Sequence, residues 1–349
     1  MNDEITIVTA FYDIGRAEWK GFERSAKKYL KYFEFWAGLK NELIVYTSKE
    51  FEKEILNIRK KFKLENKTKV IVKEYKSFDL DALKGIYRVF KEYDQSLNRA
   101  LSNLNLPEIT QPLYCYITYI KPLIVADAIK NDLTSDKILW LDFGFNHGGF
   151  DIFTDKEQFN FALKAQPNLG LDEHKINCFK LYDDINKMNM PNIYLSLKFS
   201  IAGPLFYGNK KAYLKMSMDF HEALRVFLSF NIADDDQAII EWCIRNKKEH
   251  YNILKSYTWC DSLFFFIPKE LNANMNTNKA SKHQKINFSL TLSLYNENKN
   301  LKIDIKKLST ENAILKTSLE FPKKSLSFRL GYALINAWEI GRASCRERV

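Results

Sequence analysis

Apolar positions in the first 75 residues come as short unbroken runs, not as a strict alternation. Ile5-Thr-Ile-Val-Thr-Ala-Phe11, Leu43-Ile-Val-Tyr-Thr47 and Val70-Ile-Val-Lys-Glu-Tyr75 each read as a strand covered on both faces. Between them lie stretches of helical character, from about Glu18 to Phe35 and from Lys49 onward with Ser48 as cap. This β-α-β-α-β cadence predicts an open, mostly parallel α/β sheet flanked by helices, with right-handed crossovers. Residues 76–110 read as polar and helical, with Leu83, Ile86 and Phe90 on one face, and Tyr114 to Asn131 as a further helix with Lys121-Pro122 near its start.

Farther along, Lys137-Ile-Leu-Trp-Leu-Asp142 is the clearest strand and runs into the turn-rich Phe143-Gly-Phe-Asn-His-Gly-Gly149. A broken apolar strand is expected over Phe199–Gly208, a helix over Lys210–Phe230, and another through Ile240, Trp242 and Ile244. Tyr257 to Asp261 reads as an aromatic, strand-like element. Residues 1–271 are thus expected to form one α/β domain and the Asn/Lys-rich stretch 272–288 a linker. After it the period changes. Leu294, Leu301, Leu308 and Leu315 recur at seven, with Asn298, Ile305, Asn312 and Leu319 at the alternate core positions, so 289–321 is expected as a coiled coil able to pair copies of the chain, or as one amphipathic helix on its own domain. Pro322 ends that pattern, and 322–338 reads as a truncated amphipathic helix suited to peripheral contact with the inner membrane. The final EIGRASCRERV, 339–349, looks like the in-frame translation of a sequencing adapter.

Composition changes this picture little. The 349 residues carry 53 Lys+Arg against 43 Asp+Glu, a net charge of +10, one unit less without the final segment. The excess is carried by Lys, with no Arg cluster outside that segment, which speaks against a nucleic-acid reader and for attraction of anionic small substrates. No apolar run approaches the length of a transmembrane helix, and Met1-Asn-Asp-Glu4 does not open like a secretory signal, so a cytoplasmic protein is expected. Cys115, Cys178, Cys243 and Cys260 are too scattered for a zinc ribbon or disulfide scaffold. A P-loop, a GxSxG elbow, an HExxH helix and a complete GxGxxG turn are all missing, which removes the enzymes built on them.

Candidate chemistry gathers where strands should end. In open α/β sheets ligands bind outside the carboxyl ends of the strands, which points to Asp142 with its glycine turn, either as a ligand-facing carboxylate or as a strand-end cap. Asp234-Asp-Asp-Gln237 is the second cluster. Crowded carboxylates raise one another's proton affinity and suit Asp235 or Asp236 to base work, with Asp234 as the helix cap; the bland alternative is a helix N-terminus merely enriched in Asp.

Taken in order, ITIVTAFYDIGR, ILWLDFGFNHGG, FSIAGPLFYG and IADDDQAII resemble the HtrL/YibB (WlaTC/HtrL) family over about residues 4–265. The resemblance implies a GT-A-like nucleotide-sugar domain and a glycosyltransferase acting on a surface polysaccharide, lipopolysaccharide or capsule, or on its lipid-linked precursor. The alternative it leaves is a non-catalytic scaffold that binds sugar nucleotide or glycan. Under the glycosyltransferase reading, Thr9, Phe11, Asp13, Arg16, Lys121, Asp142, Gly144, Gly203, Gln237 and Trp259 would contact the nucleotide-sugar, with Asp261 a further candidate, and Asp235 and Asp236 would be catalytic. GT-A enzymes place an Asp-x-Asp at the Asp142 position to hold Mn or Mg; here the second acid is Gly144, leaving Asp142 with His147 as a mixed ligand set, or a Lys or Arg in the metal's place.

Overall fold

Among the described residues, seven strands form one sheet in the order β3-β2-β1-β4-β6-β5-β7: β1 (Ile5–Phe11), β2 (Leu43–Thr47), β3 (Thr68–Val72), β4 (Lys137–Leu141), β5 (Ile176–Lys180), β6 (Ile201–Asn209) and β7 (Tyr251–Lys255). The first four are mutually parallel, with Thr9 beside Val45 and Val8 beside Trp140. β6 runs antiparallel to both β4 and β5, and β5 is parallel to β7. This computed structural model describes residues 4–272 apart from 101–102, 150–152, 182–186 and 198–199, all within one compact unit spanning Met1–Glu297. The linker beyond its first residue, the coiled coil, the amphipathic segment and the final eleven residues lie outside the described residues.

The sheet separates two cores. Along β1 and the residue after it, Ile5, Ile7 and Phe11 enter one and Val8 and Tyr12 the other, the alternation that a pleated strand imposes. The first core is aromatic. Phe143 stacks between Phe11 and Phe33 at centroid distances of 4.8 and 4.6 Å, pairs worth roughly 0.5–1.5 kcal/mol each beyond simple burial. That sandwich pins the end of β4 to helix α1 (Ala26–Trp36), whose Ser25 cap accepts from the Lys28 amide. The second core lies under α5 (Pro112–Tyr119), α6 (Lys121–Lys130), α8 (Lys210–Ser229) and α9 (Asp236–Asn246). The remaining helices are α2 (Glu52–Lys61), α3 (Leu80–Glu92), α4 (Pro107–Thr110), α7 (Met190–Ser196) and α10 (Lys269–Asn272).

Several boundaries differ from the sequence reading. The helix expected from Glu18 starts only at Ala26, because Gly21 takes a left-handed φ of +82° and Ser25 supplies the cap. Ser48 heads a short 3-10 turn rather than α2 itself, which opens at Glu52. The third strand covers Thr68–Val72, starting two residues and ending three residues earlier than expected. Residues 76–110 hold α3, a turn and α4 instead of one helix, and 114–131 is split at Ile120, with Pro122 seated in the first turn of α6 where its missing N–H costs nothing. Tyr257–Asp261 is a turn, not a strand; the strand is β7, just before it. All four cysteines named above are buried free thiols.

Candidate functional site

A cleft of about 380 Å³ opens where β1 and β4 end and β6 begins. Because β6 runs against β4, the Asp142 amide donates to Pro204 O at 2.9 Å, and the entry of β6 closes over the exit of β4. Of the residues expected at the site, Phe11, Asp13, Arg16, Lys121, Asp142, Gly144, His147, Gly203, Asp235, Asp236, Gln237 and Trp259 all line this cleft. Thr9 is a correction: it is fully buried inside β1, on the same face as Ile7 and Phe11 and short of the cleft, and its hydroxyl has no hydrogen-bond partner. Asp261 is also off the cleft. Its carboxylate receives the Tyr257 amide at 2.9 Å and the Ser256 hydroxyl, shaping the turn that carries Trp259 to the rim.

Lys121 forms the floor. As the first residue of α6, its side chain runs inward, and Nζ lies 3.0 Å from Asp142 Oδ1, 3.1 Å from Asp142 Oδ2 and 2.8 Å from Asp236 Oδ2, while donating to Gly203 O at 3.0 Å. The Asp236 contact is close but poorly aligned for a hydrogen bond. Burial works against the ammonium, yet Asp142 and then Asp236 outweigh it and hold Lys121 above its usual range. Trp140 Nε1 donates to Asp142 Oδ1 at 2.7 Å. Gly203 leaves room for this cluster, since a Cβ there would sit 3.0 Å from Asp236 Oδ2.

The three consecutive aspartates divide into separate tasks. Asp234 is not the helix cap; it pairs with Arg99 at 3.1 Å, both side chains almost wholly buried, and Arg99 also lies over the Tyr194 ring at 3.6 Å. Asp235 is the cap of α9, its Oδ1 accepting from the Gln237 amide at 3.0 Å. Burial first, then the charges of Asp236, Asp234 and Glu108, push the Asp235 carboxyl well above the usual carboxylate range. Asp236 is also raised, by burial first, with Lys121 pulling it back down. Gln237 donates to Ile201 O at 3.2 Å.

Two arginines also line the cleft. Arg16 sits between the rings of Trp19 and Tyr114, each centroid 5.5 Å away, and donates to Phe22 O and to the Tyr29 hydroxyl. Arg24 reaches His147 Nε2 at 3.3 Å. His147 stands in a left-handed turn formed by Asn146, His147, Gly148 and Gly149, with φ of 56°, 46°, 69° and 101°. A buried side-chain clasp supports it: Asn146 donates to Phe153 O and accepts from the Phe153 amide. Non-glycine residues held in that region mark sites whose surroundings dictate their conformation. Among the described residues, no three His, Cys, Asp or Glu side chains gather as a metal site.

Sequence reading missed Arg24, Tyr29, Glu108, Tyr114 and Trp140, which also line the cleft. Glu108, on α4, has a buried Oε2 with no partner, and burial raises its proton affinity. Nothing in the short segment around it announces this; only the packing of α4 on α5 brings it there.

A family described as "Bacterial protein of unknown function (HtrL_YibB)" matches residues 3–268, a span that holds every strand and every cleft residue. The chain belongs to this family. Protein HtrL of Escherichia coli (strain K12) is 28% identical over 290 residues, covering 79% of this chain and 96% of that protein. Among solved structures, mouse xyloside xylosyltransferase 1 in its apo form aligns at a TM-score of 0.38 with 12% identity, covering 72% of this chain and 85% of the other. The apo WbbM bifunctional glycosyltransferase aligns at 0.35 with 12% identity, over 73% and 39%. Among the described residues, no helix of this HtrL/YibB member is long and apolar enough to cross a membrane.

Proposed function

We propose that this protein is a GT-A-like glycosyltransferase that moves a sugar from a nucleoside-diphosphate donor to a surface glycan, lipopolysaccharide or capsule, or to a lipid-linked precursor. One observation carries the reading: one cleft at the carboxyl ends of parallel strands is lined both by the cations Arg16 and Arg24 and by the carboxyls of Asp142, Asp235, Asp236 and Glu108. Charge of one sign suits the diphosphate, and carboxyls suit sugar hydroxyls and the reacting centre. Phe11, at the end of β1, and Asp13 just after it line the cleft and are assigned to the nucleoside, and half-exposed Trp259 is assigned to a sugar face. Asp236, held next to an ammonium, is the better candidate for the ionised carboxylate that receives the acceptor proton. Asp235, pushed toward its protonated form, is suited to donate a hydrogen bond to a sugar oxygen.

The test is release of nucleoside diphosphate from a panel of nucleotide-sugars, with binding followed by calorimetry. Transfer by the wild type and a loss of roughly 100-fold or more in Asp236→Asn, with donor binding kept, are expected. Binding of no donor, or full activity in Asp236→Asn, would overturn the reading. Donor binding without turnover across the panel would identify the protein as a non-catalytic sugar-nucleotide scaffold instead.

A further inference from the structure

The place where a divalent ion would bridge acidic side chains in this cleft is taken by the chain's own ammonium. Lys121 Nζ has two carboxylates and the Gly203 carbonyl at 2.8–3.1 Å, and its side chain is only 10% exposed. A Mg or Mn ion asks for about six oxygen ligands, several from water. Asp142 has no such freedom, since Trp140 Nε1 and Lys121 together engage it. Nor can the turn supply a second acid: a Cβ at Gly144 would already stand 3.0 Å from the Tyr29 ring. An incoming metal would have to expel a lysine rooted at the start of α6, leaving a buried ammonium stripped of its partners. The residues present therefore fit a lysine and do not fit a divalent cation.

We propose that Lys121 is the permanent cation of this cleft, filling the seat between Asp142 and Asp236, so that a nucleoside diphosphate binds without metal and its charge is met by Arg16 and Arg24. The nucleotide half of this rests on the glycosyltransferase reading; the cation half does not. In this arrangement Lys121 is a positioning residue. It keeps two carboxylates that would otherwise repel each other together at the cleft floor, and no ion leaves or enters with the ligand.

Two measurements test it. In the first, Mn2+ alone is titrated into the full chain and the free-ion EPR signal is followed. Wild type should leave the signal unchanged, while Lys121→Met, which vacates a seat with two carboxylates and a carbonyl, should remove signal; a merely structural lysine would not create such a site. Uptake by wild type that Asp142→Asn abolishes, or a Lys121→Met protein that is folded by its melt yet takes up no Mn2+, would overturn the assignment. The wild-type titration stands even if the variant fails to fold. In the second, UDP and GDP are titrated calorimetrically in EDTA and in Mn2+. Equal binding in both, weakened about tenfold by Arg24→Ala, is expected; binding that requires Mn2+ would overturn the proposal. If neither nucleotide nor any nucleotide-sugar binds while the Mn2+ results come out as expected, the glycosyltransferase reading falls and the lysine-filled seat stands.

Discussion

Asp234, Asp235 and Asp236 are chemically identical and adjacent, yet each has a different partner: Arg99, the Gln237 amide and Lys121. That division was hidden in the sequence, because nothing in three consecutive Asp says which one faces which neighbour. Their presence at a helix start was legible; that Asp235, and not Asp234, is the cap was not. The same holds for Asp142, whose partner Lys121 lies twenty-one residues upstream on another element. A pH dependence follows from Asp235. Its folded proton affinity is raised above the ordinary value of 3.8, so above that pH the folded state keeps a proton that the unfolded state has lost. Stability then falls as pH rises through this window. Asparagine keeps the cap without titrating, so Asp235→Asn should melt higher than wild type at pH 8 and show a smaller gain at pH 4, by differential scanning fluorimetry. Arg99 gives the opposite case. Arg99→Met leaves Asp234 buried and unpaired, and should cost about 3–5 kcal/mol in urea unfolding, much of it recovered in the Arg99→Met/Asp234→Asn double variant.

At the scale of elements, the turn after β4 carries the most information. The sequence showed a glycine-rich break and placed a ligand-facing site there. It did not show that Asn146 and His147 share the left-handed conformation with both glycines, because that depends on the Phe153 clasp and on Tyr32 and Phe35 packed beneath. Gly148 has φ +69°, and a Cβ on it would meet the Tyr32 ring at 2.9 Å. Gly148→Ala should therefore lose about 1–3 kcal/mol of stability and weaken nucleotide binding, since His147 and its contact with Arg24 move with the turn. Thermal melts with and without UDP separate the two effects. The α5–α6 break is the reverse case. Lys121-Pro122 was visible in the sequence but was read as a place inside one helix, because proline in a first turn and proline in a continuing pattern look alike without the structure.

For the whole molecule, the α/β alternation was legible from the runs of buried apolar residues, and the first four strands came out as a parallel set. The antiparallel turn of β6 was not, because a strand's composition carries no direction. β5 and β7, Ile-Asn-Cys-Phe-Lys and Tyr-Asn-Ile-Leu-Lys, were passed over since polar residues interrupt their apolar positions. Among the described residues, the two cores pack on the two faces of the sheet, and the cleft opens at its edge of strand ends.

The reversed direction of β6 also orders events in time. The cleft needs Asp142 and Gly203 side by side, and about sixty residues of chain must close before they meet. Such distant pairings form after local ones and slow folding. In refolding from urea, helix signal should return first, and capture of a fluorescent nucleotide only with the slowest step, so that ligand becomes a clock for closure of the cleft.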